Sequence, residues 1–354
     1  MPTGAPSEQI PTLGHTNPGS RLAALDGLRA ISIAFVLLGH VNGTQGFPRI
    51  NLSPVLGDYA NLGVIIFFVI SGYLITRLLI GEQRQFGSIS LHLFYARRIL
   101  RLAPAFYLYI FFIAAIQRFG WIHLHAGDLT GALTYTINFR TSFSWYVGHL
   151  WSLSVEEQFY LLWPLTLVVA GVRRSGWVAI GMIFLSPVAR VFALQQHLPS
   201  SMFPCVADSL AFGCLLAIGG DYLQARKWYK TIVANSWFVP VTVILIFAFN
   251  WLRLYLVGII FGPSVIGLLV AFIVHRCTWT ASRVNAFLAL KPMVAVGAAS
   301  YSLYLWQQPF LNRNLSWAIC RFPTNILLAV SFALTSYYFV ERPLNHLRRK
   351  LRRS

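Results

Sequence analysis

Residues 21–40 read RLAALDGLRAISIAFVLLGH. Three charges, Arg21, Asp26 and Arg29, crowd the first half, and no other ionisable group follows until His40. A membrane helix needs about 20 apolar residues, and an ionisable side chain inside one is a functional candidate by default. At about 1.5 Å per residue His40 lies about 21 Å along the axis from Asp26, roughly two-thirds of the way through a ~30 Å hydrocarbon core. The stretch reads as a ruler, with a charge cluster at one end and a buried imidazole near the other.

The rest of the 354-residue chain fits that reading. It is 56% hydrophobic and only 11% charged, where soluble domains carry about 25% charged residues. Mean hydropathy is +0.62. The expected fold is all-α, a polytopic transmembrane helical bundle. The net charge of +18 would suggest nucleic acid in a soluble chain, but the basic residues fall in short loops between apolar runs, where they set orientation. No nucleic-acid partner is expected; the lipid bilayer is. Cys205, Cys214, Cys277 and Cys320 are scattered without metal-ligand or disulfide spacing. His123, His125 and Asp128 read as a solvated loop, so no metal is expected.

Apolar runs fall at about 28–46, 60–81, 104–118, 129–139, 155–170, 176–194, 204–219, 235–250, 254–274, 293–312 and 323–340. The run at 129–139, LTGALTYTINF, is short and polar. With it outside the membrane and the N-terminus cytosolic, 21 of the 28 Lys and Arg lie inside and 7 outside; with it crossing, 12 lie inside and 16 outside. The positive-inside rule therefore favours ten spans with both termini cytosolic and 129–152 re-entrant or along the outer face. Residues 1–20, rich in Pro, Gly, Ser and Thr, read as a disordered cytosolic tail. The domain reading places a membrane domain at 21–343 and a basic cytosolic tail at 344–354. No cleavable signal is expected before the first span.

Four stretches carry chemistry. In GVIIFFVISGYLITRLLI (63–80), Ser71 and Gly72 are small residues of the kind that let helices approach closely. SISLHLFYARRILRLAPAF (88–106) places Arg97, Arg98 and Arg101 on a basic amphipathic helix at the cytosolic surface, with Pro104 starting the next span. It reads either as an orientation signal or as a dock for a polyanionic ligand, because Arg donates in pairs to phosphate oxygens. HLWSLSVEEQFYLLWPL (149–165) sets His149, Glu156 and Glu157 at the mouth of a span. Adjacent helical residues point about 100° apart, so one glutamate faces the interior, and spacing does not say which. Asp208 is a buried-side carboxylate with no partner visible in the sequence. Ser300, Ser302, Gln307 and Gln308 put polar groups into a late span, and FVERPLNHLRRKLRRS (339–354) reads as a turn at Glu341-Arg342-Pro343 into the basic tail.

In order, RLAALDGLRA…GH, FFVISGYLI (67–75), FYARRILRLAP (94–104), HLWSLSVEEQFYLLWP (149–164), SYSLYLWQQP (300–309) and FVERP (339–343) resemble acyltransferase family 3. This family comprises bacterial integral-membrane O-acyltransferases, including O-antigen, exopolysaccharide and nodulation-factor acetylases. The resemblance implies transfer of an acyl group, usually acetyl, from cytosolic acyl-CoA to a hydroxyl of a carbohydrate or glycolipid, in the bacterial cytoplasmic (inner) membrane. Acetyl-CoA is then a co-substrate, and no tightly bound cofactor is expected. The family's polar motif residues fall on Arg21, Asp26, His40, Arg98, Arg101, His149 and Glu156, with Glu157 in the same motif. Members often have His where this chain has Gln307, and Gly where it has Ala30. Some carry a C-terminal hydrolase-like domain, which is not expected within these 354 residues.

The mechanism that follows docks CoA on Arg97, Arg98 and Arg101, joined by Arg21 and Arg29, with Asp26, Ser71 and Gly72 structural or orienting. His40 acts as general base or carries the acyl group as nucleophile, and Glu156 orients its imidazole. A transporter or flippase for a lipid-linked saccharide would also want buried His and Glu. It predicts duplicated halves with matching interrupted helices, which the sequence lacks. Oligomeric state is not legible. The topology is testable: cysteines introduced beside Arg173 and Arg226 are expected to react with an impermeant maleimide only from the cytosolic side. Reaction of both only from outside would mean that 129–139 crosses.

Overall fold

The hydrophobic runs fold into helices, and no strand occurs among the described residues. The computed structural model describes residues 18–48, 58–252, 255–280 and 282–351, with the side chains of 18–22 and 348–350 outside that description. The helices are α1 (Pro18–Val41), α2 (Tyr59–Phe86), α3 (Leu91–Arg118), α4 (Asp128–Leu133), α5 (Trp145–Gly148), α6 (Leu150–Gln195), α7 (Phe203–Ala225), α8 (Lys227–Ala234), α9 (Phe238–Leu252), α10 (Leu256–Trp279), α11 (Arg283–Leu288), α12 (Lys291–Ala298), α13 (Ser300–Trp306), α14 (Thr324–Ser336) and α15 (Arg342–Lys350), with a π-helical turn at Tyr337–Glu341. Six helices are long and apolar enough to cross a membrane, or seven if the pair α8 and α9, bent by 79°, counts as one span. Side chains such as Phe111, Val169, Phe184 and Phe339 are more than 70% exposed, which suits a surface facing lipid. The chain is a multi-pass helical membrane bundle.

Two sequence expectations change. The basic stretch is not a separate surface helix: α3 runs unbroken through Pro104 for 28 residues. At about 42 Å it exceeds the ~30 Å hydrocarbon core, so Arg97–Arg101 ride on the overhanging end of a long helix. Proline costs one ladder bond, and the Tyr301 hydroxyl donates to the Leu102 carbonyl at 2.9 Å two residues before it. Nor does the chain turn away at Glu341-Arg342-Pro343. The π-turn feeds α15, and Arg97 Nη1 donates to the Leu351 carbonyl at 3.3 Å, so this end lies against α3. Most of the proposed N-terminal tail, residues 1–17, lies outside the described residues.

Before α6 begins at Leu150, the 129–152 segment holds only α4, a three-residue 3-10 turn and α5, each too short to cross. Asp128 organises it. Its buried carboxylate accepts from the backbone N–H of His125 (3.0 Å) and Ser144 (2.9 Å) and faces Arg140 at 3.6 Å. α6 is broken at Gly171, whose φ of 76° and ψ of 164° belong to a region open essentially to glycine alone. The arms on either side are about 32 and 36 Å long. Asp208 does have a partner: Arg190 of α6 meets it at 2.5 Å, and Ser264 donates to the same oxygen at 2.6 Å. The charge count placed Arg190 outside the membrane. It is instead a buried helix residue, 4% exposed, stabilised by this pair.

Close packing fixes α2 against α7. A Cβ at Gly72 would sit 2.0 Å from the Leu210 carbonyl oxygen, and one at Gly213 would sit 2.1 Å from that of Val69. The two backbones touch, and only glycine fits at either position. Ser71, one residue away, points elsewhere and makes the bond described below. Gly72→Ala is expected to force the helices apart and destabilise the protein by the ~1–3 kcal/mol of an overpacked core. Ser71→Ala, which loses one bond at the cavity wall without moving the helices apart, should lower the unfolding temperature by less. Equal thermal shifts for the two in detergent would refute this division.

Candidate active site

Two cavities lie on the bundle axis. The larger, about 1310 Å³, opens at the end where α1 begins and is lined by Asp26, Arg29, Arg77, Arg97, Arg98, Arg101 and Glu156 among others. The smaller, about 210 Å³, lies toward the opposite end and is lined by His40, His149, Trp151, Asp58 and Asn61 with Val36 and Ala60. Val64 and Tyr304 line both. Those two side chains mark where the two spaces adjoin.

The basic cavity gathers residues from α1, α2, α3 and α6. Arg29 pairs with Asp26 three residues earlier, at 3.6 Å. Arg97 is committed to Glu82, at 3.0 Å, and Glu82 also caps the backbone N–H of Ser90 at 2.9 Å. Arg98 lies over the Tyr160 ring, 3.4 Å from its centre, with its Nε buried and unbonded. Arg77 donates to the Tyr73 hydroxyl at 2.8 Å. The Arg21 side chain lies outside the described residues. The cavity thus presents several guanidinium groups, held by aromatic and acidic neighbours, to one large space.

The choice between Glu156 and Glu157 is now legible. Glu156 lines the basic cavity and accepts from Ser71 Oγ at 2.6 Å; Glu157 is absent from the lining of either cavity. Glu156 does not orient His40, as the sequence reading expected. The partner of His40 is Gln307: Nδ1 and Oε1 are 2.9 Å apart. With the amide oxygen facing the ring, Nδ1 carries the hydrogen and Nε2 is the basic nitrogen. The substitution that departs from the family pattern therefore supplies the contact that fixes the imidazole.

Trp145 completes the surround. Its ring stands edge-on to His40 with centres 5.5 Å apart. Its Nε1 donates to the Gln308 carbonyl (2.7 Å), while Gln308 Nε2 donates back to the Trp145 carbonyl (2.6 Å). Tyr304 donates to the His149 carbonyl at 2.8 Å and shares a 2.5 Å contact with Ser152 Oγ. Sequence reasoning did not single out Trp145 or Tyr304. The signal for Tyr304 was its place in the polar SYSLYLWQQP run; for Trp145, nothing in the sequence predicted that the short outer segment folds back over His40. His149, 4% exposed, packs between the rings of Tyr109 and Tyr304, with centres 5.4 Å away in each case.

Chemically, the arrangement offers a half-buried imidazole with an oriented basic nitrogen, next to a small pocket. A large cationic chamber suited to phosphates lies on the other side of a two-residue partition. The chain is similar to the O-acetyltransferase OatA of Staphylococcus aureus, with 30% identity over 91% of this chain and 57% of the relative, in strains NCTC 8325 / PS 47, COL and MRSA252 alike. It thus spans little more than half the length of these curated relatives. No solved structure matches it. The family model described as an acyltransferase domain matches residues 22–339, nearly the whole of the described bundle, and the chain belongs to acyltransferase family 3.

Proposed function

We propose that this protein transfers an acyl group, usually acetyl, from cytosolic acyl-CoA to a hydroxyl of a carbohydrate or glycolipid at the other side of the bacterial cytoplasmic membrane. The observation that carries the reading is the pair of cavities meeting at Val64 and Tyr304. The larger exceeds the usual 300–1,000 Å³ of ligand pockets and is lined by arginines, as an extended polyphosphate donor requires. The smaller falls below that range and has room only for the reacting ends.

In this reading the membrane is crossed ten times. The crossings are α1, α2, α3, the two arms of α6, α7, the α8–α9 pair, α10, α12 with α13, and α14 with its π-turn. An even number puts both termini on one side, the cytosol, together with Arg97–Arg101 and the basic C-terminal segment. Arg98, Arg101, Arg97 and Arg29 receive the CoA phosphates by paired donation. Glu156, two helical turns below His149, faces the route of the pantetheine arm and can accept from its amides, and Glu157 supports that segment from behind.

His40 is the general base. Nε2 takes the proton of the acceptor hydroxyl as its oxygen attacks the thioester carbonyl, and the electron pair of the C=O moves onto oxygen. Collapse of the tetrahedral intermediate breaks the C–S bond, and the His40 proton passes to the departing sulfur. Gln307 accepts from Nδ1 throughout, holding the ring in one tautomer.

Two measurements test this. His40→Gln keeps size and hydrogen bonding but removes the base. Acetyl-CoA-dependent transfer to membrane glycans is expected to fall by about 10²–10⁴-fold with unchanged unfolding temperature and acyl-CoA affinity; turnover within a few-fold of wild type would refute the role. Arg101→Ala is expected to weaken acyl-CoA binding about ten- to hundredfold, the ~1.5–3 kcal/mol of a hydrogen bond to a charged group, and Lys should restore it only in part. Unchanged affinity in both would leave the cluster an orientation signal.

A further inference from the structure

Buried polar groups are almost always hydrogen-bonded, and the buried ionisable groups between α6, α7 and α10 follow that rule. The carboxylate of Asp208 has Arg190 and Ser264. His275, the other buried histidine among the described residues, has the Tyr229 hydroxyl on Nδ1 at 2.5 Å. Other buried atoms lack a partner, among them Ser300 Oγ, Trp306 Nε1 and Gln307 Nε2, but at His149 both ring nitrogens do. It is 4% exposed, and its ring has a polar neighbour in the Leu305 backbone, with which neither Nδ1 nor Nε2 makes a hydrogen bond of normal geometry. Its ring is held by the two tyrosines, 5.4 Å away on each side, so it is fixed by apolar faces while its polar edge goes unmet. It lines the same 210 Å³ space as His40. A fixed ring with an unmet polar edge on a reaction chamber indicates a bond made to substrate.

We propose that His149 is the oxyanion donor of this site, a role that rests on the acyltransferase reading above. In the neutral ring one nitrogen carries a hydrogen. That N–H donates to the acyl carbonyl oxygen of the thioester and more strongly to the same oxygen once attack by the acceptor has made it negative. No proton is transferred to or from His149: the acceptor's proton goes to His40 Nε2 and then to the leaving sulfur. The two histidines divide the work, with one moving the proton and the other stabilising the charge. Donors preorganised among apolar and aromatic side chains are worth far more than the same donors in bulk solvent. The desolvation cost of an unpartnered imidazole in the empty chamber is recovered only when the oxygen arrives. Tyr304, bonded to the His149 backbone carbonyl at 2.8 Å, acts as a positioning residue that ties this donor to the partition through which the thioester passes.

The test uses the full-length protein in membranes of the producing cells, with radiolabelled acetyl-CoA as donor and native membrane glycans as acceptor. His149→Leu is expected to lower kcat by about 10²–10³-fold, the usual loss for one oxyanion-hole donor, with the KM for acetyl-CoA unchanged. His149→Gln returns an N–H donor and is expected to recover a large part of that loss, with the pH profile of wild type, because the titrating base remains His40. Leu and Gln variants equally inactive but normally folded would make His149 a base or nucleophile and overturn the proposal. So would a Leu variant within a few-fold of wild type, or activities that merely follow unfolding temperature in detergent. Wild-type membranes that transfer nothing would remove the acyltransferase reading itself. An active wild type with an indifferent His149 removes only the donor role.

Discussion

Every polar side chain inside this bundle must find a partner before the helices can pack, because hydrocarbon offers none. That constraint explains most of the buried contacts. Arg190 enters α6 as a cation and is matched by Asp208 on α7; Ser71 on α2 is matched by Glu156 on α6; His40 on α1 is matched by Gln307 beyond α13. Each bond joins helices distant in sequence, so each pins the register of one helix against another as well as satisfying a group. The polar contacts locate the helices, and close contacts such as Gly72 against Leu210 set how near they come. Unmatched atoms occur across the fold, and among those on residues that line the two cavities are Arg98 Nε and the two ring nitrogens of His149.

The same constraint accounts for the shape of α3. A cluster of arginines cannot sit at membrane depth, yet a donor chamber reaching into the bundle needs cations at its mouth. A helix longer than the hydrocarbon core meets both demands, because its overhang carries Arg97, Arg98 and Arg101 beyond the apolar zone while its remainder crosses. Aromatic faces extend the reach of the charge inward. Arg98, lying over Tyr160, keeps a guanidinium at the wall of the chamber without a carboxylate to neutralise it at contact distance.

Much of this was legible in the sequence, and the reason is local. The helical membrane class follows from hydropathy, and His40 and the arginine cluster follow from the rarity of ionisable groups in apolar runs. The short 129–139 segment was rejected as a span on loop charge, and it forms only brief helices. What could not be read are pairings between elements far apart in the chain. Asp208 looked partnerless because Arg190 lies across a helix–helix contact, and counting Arg190 as a loop charge was the corresponding error. Glu156 looked like the orienter of His40 because both are motif residues, whereas Gln307 reaches the ring from a segment 267 residues away. Pro104 read as a helix start because proline usually is one, and only the surrounding packing shows that α3 continues through it. The Trp145 contact depends on a fold-back that no periodicity encodes.

The partition at Val64 and Tyr304 bears on why two cavities serve better than one channel. An open pore joining a basic vestibule to the opposite face would leak ions and let water hydrolyse an activated acyl group. A wall of one aliphatic and one aromatic side chain, with the tyrosine tethered to Ser152 and the His149 carbonyl, closes the bundle when no thin, flexible arm is threaded through it. A donor of that form suits the site: its phosphates remain in the wide cationic chamber, and only its narrow end need pass the wall. In the proposed reading, this narrow junction selects for the donor's shape and restricts the entry of water. In that reading the reacting carbon sits where His40, oriented by Gln307, and His149 border one small space.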